Sequence, residues 1–288
     1  MRWALAVLAA VSALLVACGA PNAGTEPVDS TRIVSLSGDI TEILFELGVG
    51  ARVVGVDVTT VAPDQATRLQ IVGVGRFLTA EGVLGTDPTL VIGDTQTAPV
   101  AALNQIRAAG VTVEILEVPV SFDELYEKIS RIGDLLGLPE EAEALAARID
   151  AEVDEVSTGA LTSAPRVAYV YTRGPDVNLL FGEGMTTKPL IEAAGAVDAG
   201  AEIGIVGTAP VTAEALIEAA PDVIIVPAEG VEVIGGIEAF LELPGVAQTP
   251  AGENRAILAY PEGDFLTFGP RIADSLRLLI EDLAVLQS

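Results

Sequence analysis

The sequence contains no histidine and a single cysteine, Cys18, among its 288 residues. Without histidine it lacks the commonest general base and the commonest zinc ligand. One cysteine permits neither an internal disulfide nor a paired-cysteine metal site, so a hydrophobic core must hold the fold. Basic residues are also scarce, with 15 Lys and Arg against 41 Asp and Glu. The formal charge of -26 repels polyphosphate, so we expect no nucleic-acid partner.

Sequence patterns of common enzymes are also missing. The sequence contains no GxSxG, HExxH or GxxxxGK[ST] pattern, and a serine triad is impossible without histidine. Paired carboxylates, which could hydrolyse glycosides, are the remaining catalytic alternative. We therefore predict that the protein is not an enzyme.

The N-terminal segment is typical of an exported protein. Arg2 precedes the uncharged residues 3–17, a run that is short for a bilayer span but suits a signal peptide. The sequence around Cys18, LVACG, resembles the lipobox of bacterial lipoproteins. We expect residues 1–17 to be removed as a signal peptide, Cys18 to carry lipid, and residues 18–30 to form a lipid-anchored tether. The alternative is a free thiol behind an ordinary signal.

The rest of the chain alternates short β-branched runs with amphipathic runs, which predicts α/β lobes built around parallel strands. Gly48 and Gly110 stand where the C-terminal caps of two helices belong. The predicted strands are Arg32–Leu36, Val53–Val56, Leu90–Ile92 and Val113–Leu116, and the predicted helices are Asp39–Leu47 and Val100–Ala109.

An internal repeat indicates two such lobes. Leu78–Ile92 matches Val211–Ile225 at a constant offset of 133, with Thr-Ala-Glu, a proline and an apolar run in register. Chance similarity between helix-proline-strand patterns is the alternative to duplication. We predict an N-terminal lobe at residues 31–119 and a C-terminal lobe at residues 159–288.

Residues 120–158 show no strand character and are predicted to join the lobes. Phe122–Leu136 has apolar residues at helical spacing, and Gly137 ends that pattern. Pro139 begins a second predicted helix of about 18 residues, or roughly 27 Å. Such a rigid helical strut permits little hinge motion between the lobes.

Several segments together resemble the haem-binding members of the class III substrate-binding proteins of ABC importers, a group that also contains vitamin B12 and siderophore binders. The resemblance implies an α/β fold of two Rossmann-like lobes joined by a long helical strut. It also implies an ABC permease and its ATPase as partners, haem as the transported ligand rather than a catalytic cofactor, and lipid anchoring on the extracytoplasmic face of the cell membrane. The segments are RIVSLSGDITEILFELGVGARVVGVD, VGVGRFLTAEGVLGTDPTLVI, AAGVTVEIL, VTAEALIEAAPDVIIV and GVAQTPAGENRAILAYPEGDFLTFGPR.

Members of that family dock on the permease through one glutamate from each lobe. The matching residues are Glu81 in LTAEG and Glu214 in VTAEA. Two carboxylates on two lobes suit basic pockets of a two-fold symmetric permease. Their alternative role is local, because a glutamate in the first turn interacts favourably with the helix dipole.

The resemblance also places the iron ligand. Many members carry a tyrosine in a VGYxR motif, but Val74 occupies that position here. Some members carry a tyrosine eleven residues before the arginine of a GPR motif, and Tyr260 precedes Arg271 by that spacing. A phenolate is a suitable ligand for ferric haem. We therefore predict Tyr260 as the ligand. The alternative is a strand-end tyrosine that simply packs, the role expected of Tyr169 and Tyr171.

Arginines are the candidates for binding haem propionates, because a guanidinium pairs with carboxylates through two hydrogen bonds. Arg76, Arg173 and Arg271 flank the predicted strands, and each has surface ion pairing as its alternative role. Aromatic and thioether side chains could line the slot or belong to the core. These are Phe77, Phe181 and Met185.

Two other functions stay open. Because Val74 replaces the family tyrosine, the same transport machinery could carry a corrinoid or a ferric siderophore. A lipoprotein that binds no small molecule is the second alternative.

Overall fold

The computed structural model describes residues 28–73, 77–157, 161 and 163–287. Its N-terminal lobe alternates strands and helices in the order that the sequence predicts, and Gly48 and Gly110 have the positive φ of helix caps. The elements are β1 Ile33–Ser35, α1 Gly38–Glu46, β2 Val53–Asp57, β3 Ile71–Gly73, α2 Ala80–Leu84, β4 Leu90–Asp94, α3 Val100–Ala108 and β5 Thr112–Leu116.

The strands of this lobe form one parallel sheet in the order β3-β2-β1-β4-β5. β1 and β4 are fully buried, which is why their sequences are apolar without alternation. β3 is an addition to the sequence prediction, since its three residues are too few to give a pattern. The chain adds β2 and β3 on one side of β1 and then β4 and β5 on the other, so the order of strands reverses between β1 and β4.

Two long helices form the predicted strut, α4 Phe122–Leu136 and α5 Pro139–Ser157. The hydroxyl of Ser121 caps the start of α4 by accepting a hydrogen bond from Glu124 N, and Gly137 ends it in the left-handed conformation. The helical spacing read from the sequence is confirmed.

The C-terminal lobe is also α/β, but its sheet is mixed. β6 pairs in parallel with β10 and with β8, whereas β7 pairs antiparallel with both β6 and β9. Its elements are β6 Arg166–Thr172, β7 Asn178–Phe181, α6 Thr187–Ala193, β8 Val197–Asp198, α7 Ala199–Glu202, β9 Thr208–Pro210, α8 Ala213–Ala219, β10 Val223–Pro227, α9 Ala228–Ile234, α10 Ile237–Leu241, α11 Pro250–Glu253, β11 Ile257–Tyr260, α12 Glu262–Leu266 and α13 Ile272–Leu286.

The internal repeat folds the same way twice. Thr79 and Thr212 cap α2 and α8 by accepting hydrogen bonds from the backbone N of the third residue on. Each helix then leads into a buried parallel strand, β4 or β10, again 133 residues apart. The strands β6, β10 and β11 therefore correspond to β1, β4 and β5 of the other lobe.

One hydrophobic core crosses from lobe to lobe. Ile33 and Leu90 of the first sheet, Ile129 of the strut, Ile225 of the second sheet and Leu276 of α13 belong to the same buried cluster. The strut is consequently packed into the body of the protein.

The predicted signal peptide and Cys18 lie outside the described residues, as does the tether up to residue 27. The end of the tether is attached to the first lobe, where Val28 packs on the core and Arg52 donates a hydrogen bond to Ser30 Oγ at 3.3 Å. In the part of the chain from residue 28 onward that the structure describes, no helix has the length and apolarity needed to cross a bilayer.

Candidate functional site

The loops that follow the carboxyl ends of the two sheets lie against each other, and the edge where they meet is called the cleft below. A Cβ on Gly263, after β11, would stand 2.9 Å from Val61, which follows β2. A Cβ on Gly269 would stand 3.2 Å from Asp39 at the start of α1. In open α/β sheets this edge, near the reversal of strand order, is where ligands bind. The candidate site therefore lies between the loops that follow β1 and β2 and those that follow β6 and β11.

The side of the cleft formed by the N-terminal lobe carries a network of small polar side chains. Thr41 donates a hydrogen bond to Ser35 Oγ at 2.8 Å, and Thr59 donates one to Asp57 Oδ1 at 2.7 Å. Burial raises the pKa of Asp57 to about 6, against the opposing effect of its hydrogen bonds from Thr59. This side is thus polar but already satisfied by its own groups.

Two ion pairs connect α1 of the N-terminal lobe to other parts of the protein. Lys128 of the strut bonds to Asp39 of α1 inside the protein. Across the lobes, Arg271 Nε donates to Glu42 Oε1 at 3.0 Å. Glu42 is buried, whereas 42% of the Arg271 side chain is exposed. Arg271 is therefore held by its Nε while its outer edge faces solvent.

Burial raises the pKa of Glu42 to about 7, and the charge of Arg271 only partly offsets this effect. The unfolded chain should release this proton near the ordinary carboxyl value of 4.5. Between these two values the folded protein binds more protons than the unfolded chain. Its free energy of unfolding therefore falls as the pH rises from 4.5 to 7.

A Glu42→Gln substitution should remove this pH dependence, because glutamine resembles the protonated carboxyl. We expect the free energy of unfolding of the wild type, relative to that of the variant, to fall by about 3 kcal/mol between pH 4.5 and pH 8. Urea denaturation of both proteins across this range measures the difference. Parallel curves would show that Glu42 titrates alike in the folded and unfolded chains.

The C-terminal lobe contributes a tyrosine and an arginine to the cleft edge. Tyr171 lies at the end of β6, and Arg173 follows it two residues on. Arg173 Nη1 donates to the Tyr171 hydroxyl at 3.0 Å, and the carboxylate of Glu262 lies 3.5 Å from the same hydroxyl. The Arg173 side chain is 70% exposed. This arrangement presents a phenol beside a charged guanidinium at an accessible edge.

Aromatic rings pack against the tyrosine of this pair. The ring of Tyr171 stacks on Phe181 at 5.9 Å between centroids, and Phe181 in turn packs on Tyr169. Exposed large apolar side chains follow strands of both lobes. They are Val58, Val61, Phe77, Val177 and Val233.

Tyr260, the ligand predicted from the sequence, has different surroundings. Its ring is buried and stacks on Phe265 at 4.7 Å, and its hydroxyl donates to Asp282 Oδ2 at 2.5 Å. Burial, followed by the hydrogen bond to Asp282, raises the pKa of Tyr260 far above its usual value. Both effects favour the neutral phenol over the phenolate that binds iron.

The structure also separates Tyr260 from Arg271, which the sequence placed on one cleft edge. The Tyr260 hydroxyl contacts Asp282, whereas Arg271 is the N-cap of the same helix, α13. Eleven residues of helix span roughly 16 Å. The two groups thus lie near opposite ends of α13, and stabilisation of a Tyr260 phenolate by Arg271 stays a prediction that this separation does not favour.

The other predicted site residues have varied outcomes. Arg76 and Val74 lie outside the described residues, so the structure gives no account of either. Met185 is partly buried against the core. Tyr126 of the strut is also partly buried there.

Glu81 and Glu214 occupy equivalent positions in the two lobes. Each is exposed and lies in the first turn of its helix, two residues after a capping threonine. Both positions also fit the alternative role, in which a carboxylate in the first turn stabilises its helix by interacting with the helix dipole. The structure preserves the symmetry on which the docking prediction depends, and docking itself stays a prediction.

The sequence interpretation did not include Tyr171 among the candidate site residues. It placed Tyr171 correctly in a strand and assigned it to packing. The signal was present in the spacing, because side chains two residues apart in a strand share a face. Tyr171 and Arg173 were therefore predictable neighbours.

Across the described ranges, no group of three or more Asp, Glu, Cys or His side chains could hold a metal ion. The chemistry that the cleft offers is instead a phenol that a guanidinium can stabilise as a phenolate, next to apolar surface. A phenolate is a hard anionic donor that suits ferric iron.

Comparison with known proteins identifies relatives of the chain. A family model described as periplasmic binding protein matches residues 33–262. The periplasmic haem-binding protein RhuT from Roseiflexus sp. RS-1, solved in apo form, is 42% identical, with 90% of this chain and 100% of that chain covered and a TM-score of 0.86. The haem-binding protein HmuT is 37% identical, with 89% and 85% covered and a TM-score of 0.84.

Variants of HmuT have also been solved, with alanine in place of a histidine, of a tyrosine, or of an arginine two residues after that tyrosine. Among curated proteins, an uncharacterized ABC transporter substrate-binding lipoprotein of Bacillus subtilis (strain 168), YvrC, is 31% identical over 133 residues, 46% of this chain and 42% of the relative. The chain thus spans less than half the length of the curated relatives it matches.

Proposed function

The chain belongs to the periplasmic binding protein family, and from that membership we propose that it captures haem outside the cytoplasmic membrane and delivers it to an ABC permease and its ATPase. Haem is the transported ligand in this proposal, and no catalytic cofactor is involved. Support comes from the relatives described as haem-binding and from the phenol–guanidinium pair in the cleft.

The contact between Tyr171 and Arg173 is the observation that carries the proposal. Coordination to ferric iron requires the phenolate, and a guanidinium 3.0 Å from the oxygen stabilises that anion. The hydrogen bond to Tyr171 raises the pKa of Arg173, so the guanidinium stays charged. We therefore assign the iron ligand to Tyr171 in preference to Tyr260. The tyrosine and arginine replaced in HmuT have the same spacing.

Arginine side chains are proposed to hold the propionates. The exposed outer edge of Arg271, fixed through Nε by Glu42, can donate two hydrogen bonds to one carboxylate in a planar arrangement. Arg173 and Arg76 are the proposed partners of the other propionate. The exposed apolar side chains on both cleft edges would cover the porphyrin faces.

We also propose that the protein is held at the membrane by lipid on Cys18, with removal of residues 1–17. The support is the lipobox-like sequence and the absence of apolar periodicity in the sequence of residues 19–30. The mass of the N-terminal peptide from the membrane fraction measures this, and an unmodified terminus would contradict it.

Titration of the ligand-free protein with hemin tests the function. We expect a saturable Soret band with a tyrosinate-to-iron charge-transfer band, at one hemin per protein or more. The matched titration uses cyanocobalamin and a ferric siderophore, since the corrinoid and siderophore alternatives share the transport role. If either compound binds saturably and hemin gives no such spectrum, that compound and not haem is the transported ligand.

A further inference from the structure

The phenol proposed to bind iron has a carboxylate on its other side. Tyr171 accepts a hydrogen bond from Arg173 Nη1 at 3.0 Å and directs its own hydrogen to Glu262 Oε1 at 3.5 Å. Arg173 Nη1 and Glu262 Oε1 are themselves 3.7 Å apart. One phenolic oxygen is therefore flanked by a cation that stabilises negative charge and by a base that can remove its proton.

The position of Glu262 is fixed by its backbone. Its N–H donates to Glu229 Oε2 at 3.0 Å, which anchors the start of α12 to α9. The Glu262 side chain is 32% exposed, so a proton received there can pass on to water. In ligand-free sites such contacts are often long and shorten when the ligand is bound.

We propose that Glu262 accepts the Tyr171 proton when haem iron is coordinated, an inference that rests on the proposed haem function. The O–H bond of the phenol breaks and its electron pair stays on oxygen, which forms the bond to iron. The proton moves to Glu262 Oε1 and then to solvent, and the iron remains ferric throughout. Glu262 is a positioning residue here, because it acts on iron through Tyr171.

The groups that face the phenol have different roles in the proposed proton transfer. Arg173 at the end of β6 stabilises the product anion, while Glu262 on α12 receives the proton. Glu229 on α9 contributes negative charge at longer range without contacting the hydroxyl. On β7 the neighbour is the neutral ring of Phe181. Among these groups only Glu262 is both basic and in contact with the O–H.

Stopped-flow absorbance measures the proposed step. Excess ligand-free protein is mixed with dilute hemin, and the growth of the charge-transfer band gives the first-order rate of coordination. In the wild type this rate should not depend on buffer concentration. In E262Q, which keeps the size and a hydrogen-bond acceptor, we expect coordination at least about tenfold slower, and accelerated by added buffer base.

The matched control is E229Q, which removes a charge from the same edge while its amide oxygen can still accept the Glu262 N–H. Its rate should stay within about twofold of the wild type. A second variant, E262D, keeps the carboxylate on a shorter side chain, and an intermediate rate is expected. E262D decides the question if E262Q does not fold.

The outcomes separate this inference from the function on which it rests. If E262Q, or E262D in its place, coordinates at the wild-type rate without buffer dependence, Glu262 is not the proton acceptor, although haem binding stands. An equal slowing in E229Q would assign the effect to charge alone and also overturn the inference. If the wild type forms no charge-transfer band, the proposed ligand itself fails.

Discussion

Replacing Tyr171 with phenylalanine should weaken hemin binding by about 100-fold or more and abolish the tyrosinate-to-iron charge-transfer band. The substitution removes only the hydroxyl and keeps the ring that stacks on Phe181. Loss of outer-sphere partners of metal ligands alone costs about 10- to 100-fold in affinity, so loss of the ligand should cost at least the upper end of that range. Titration followed by absorbance in the Soret region and by the charge-transfer band measures both effects.

Tyr260→Phe is the matched control, because it removes a hydroxyl from the tyrosine that the sequence favoured. Its hydroxyl is engaged by Asp282 inside the protein, so we expect some loss of stability and an unchanged hemin spectrum. The reverse result, a lost band in Tyr260→Phe and a normal one in Tyr171→Phe, would restore Tyr260 as the ligand. Normal bands in both variants would mean that neither tyrosine binds iron.

Reversing the charges of Glu81 and Glu214 together should abolish haem uptake while hemin affinity stays unchanged. Both side chains are exposed at equivalent helix starts in the two lobes. Lysines there would meet basic permease pockets with like charge, which costs several kcal/mol. The measurement is growth or haem uptake of cells that depend on the variant as their source of binding protein.

The control for this experiment is substitution of lysine for Glu140 and Glu141, which are exposed in the first turn of α5. The number of charges and their position in a helix start are matched, so effects on net charge and on the helix dipole are matched too. We expect uptake like that of the wild type. If the variant with lysines at 81 and 214 also transports normally, these glutamates serve only to stabilise their helices.

Local patterns were sufficient to predict most of the fold. The strands β1 and β4 are apolar because both faces are buried, and the caps at Gly48, Gly110 and Gly137 need the left-handed backbone that glycine adopts easily. Such signals lie within a few residues of each other. The mixed pairing of the second sheet was not predicted, since the antiparallel strands β7 and β9 are short and carry no distinguishing pattern.

The contacts of the candidate site residues could not be predicted, because they join distant parts of the chain. Arg271 is held by Glu42, 229 residues away, and Tyr260 by Asp282, on a later helix. Spacing along the chain gave no sign of either contact. The pair of Tyr171 and Arg173 is the exception, since strand geometry alone puts these side chains on one face.

The core that runs through both lobes and the strut has a consequence for competition at the permease. Because Ile33, Ile129 and Ile225 belong to one packed cluster, binding of ligand in the cleft should leave the separation between Glu81 and Glu214 nearly unchanged. Under the proposed docking, ligand-free and loaded protein then offer the permease the same pair of contacts. Surplus empty protein would consequently act as a competitive inhibitor of uptake, and the ratio of binding protein to ligand would control the rate of import.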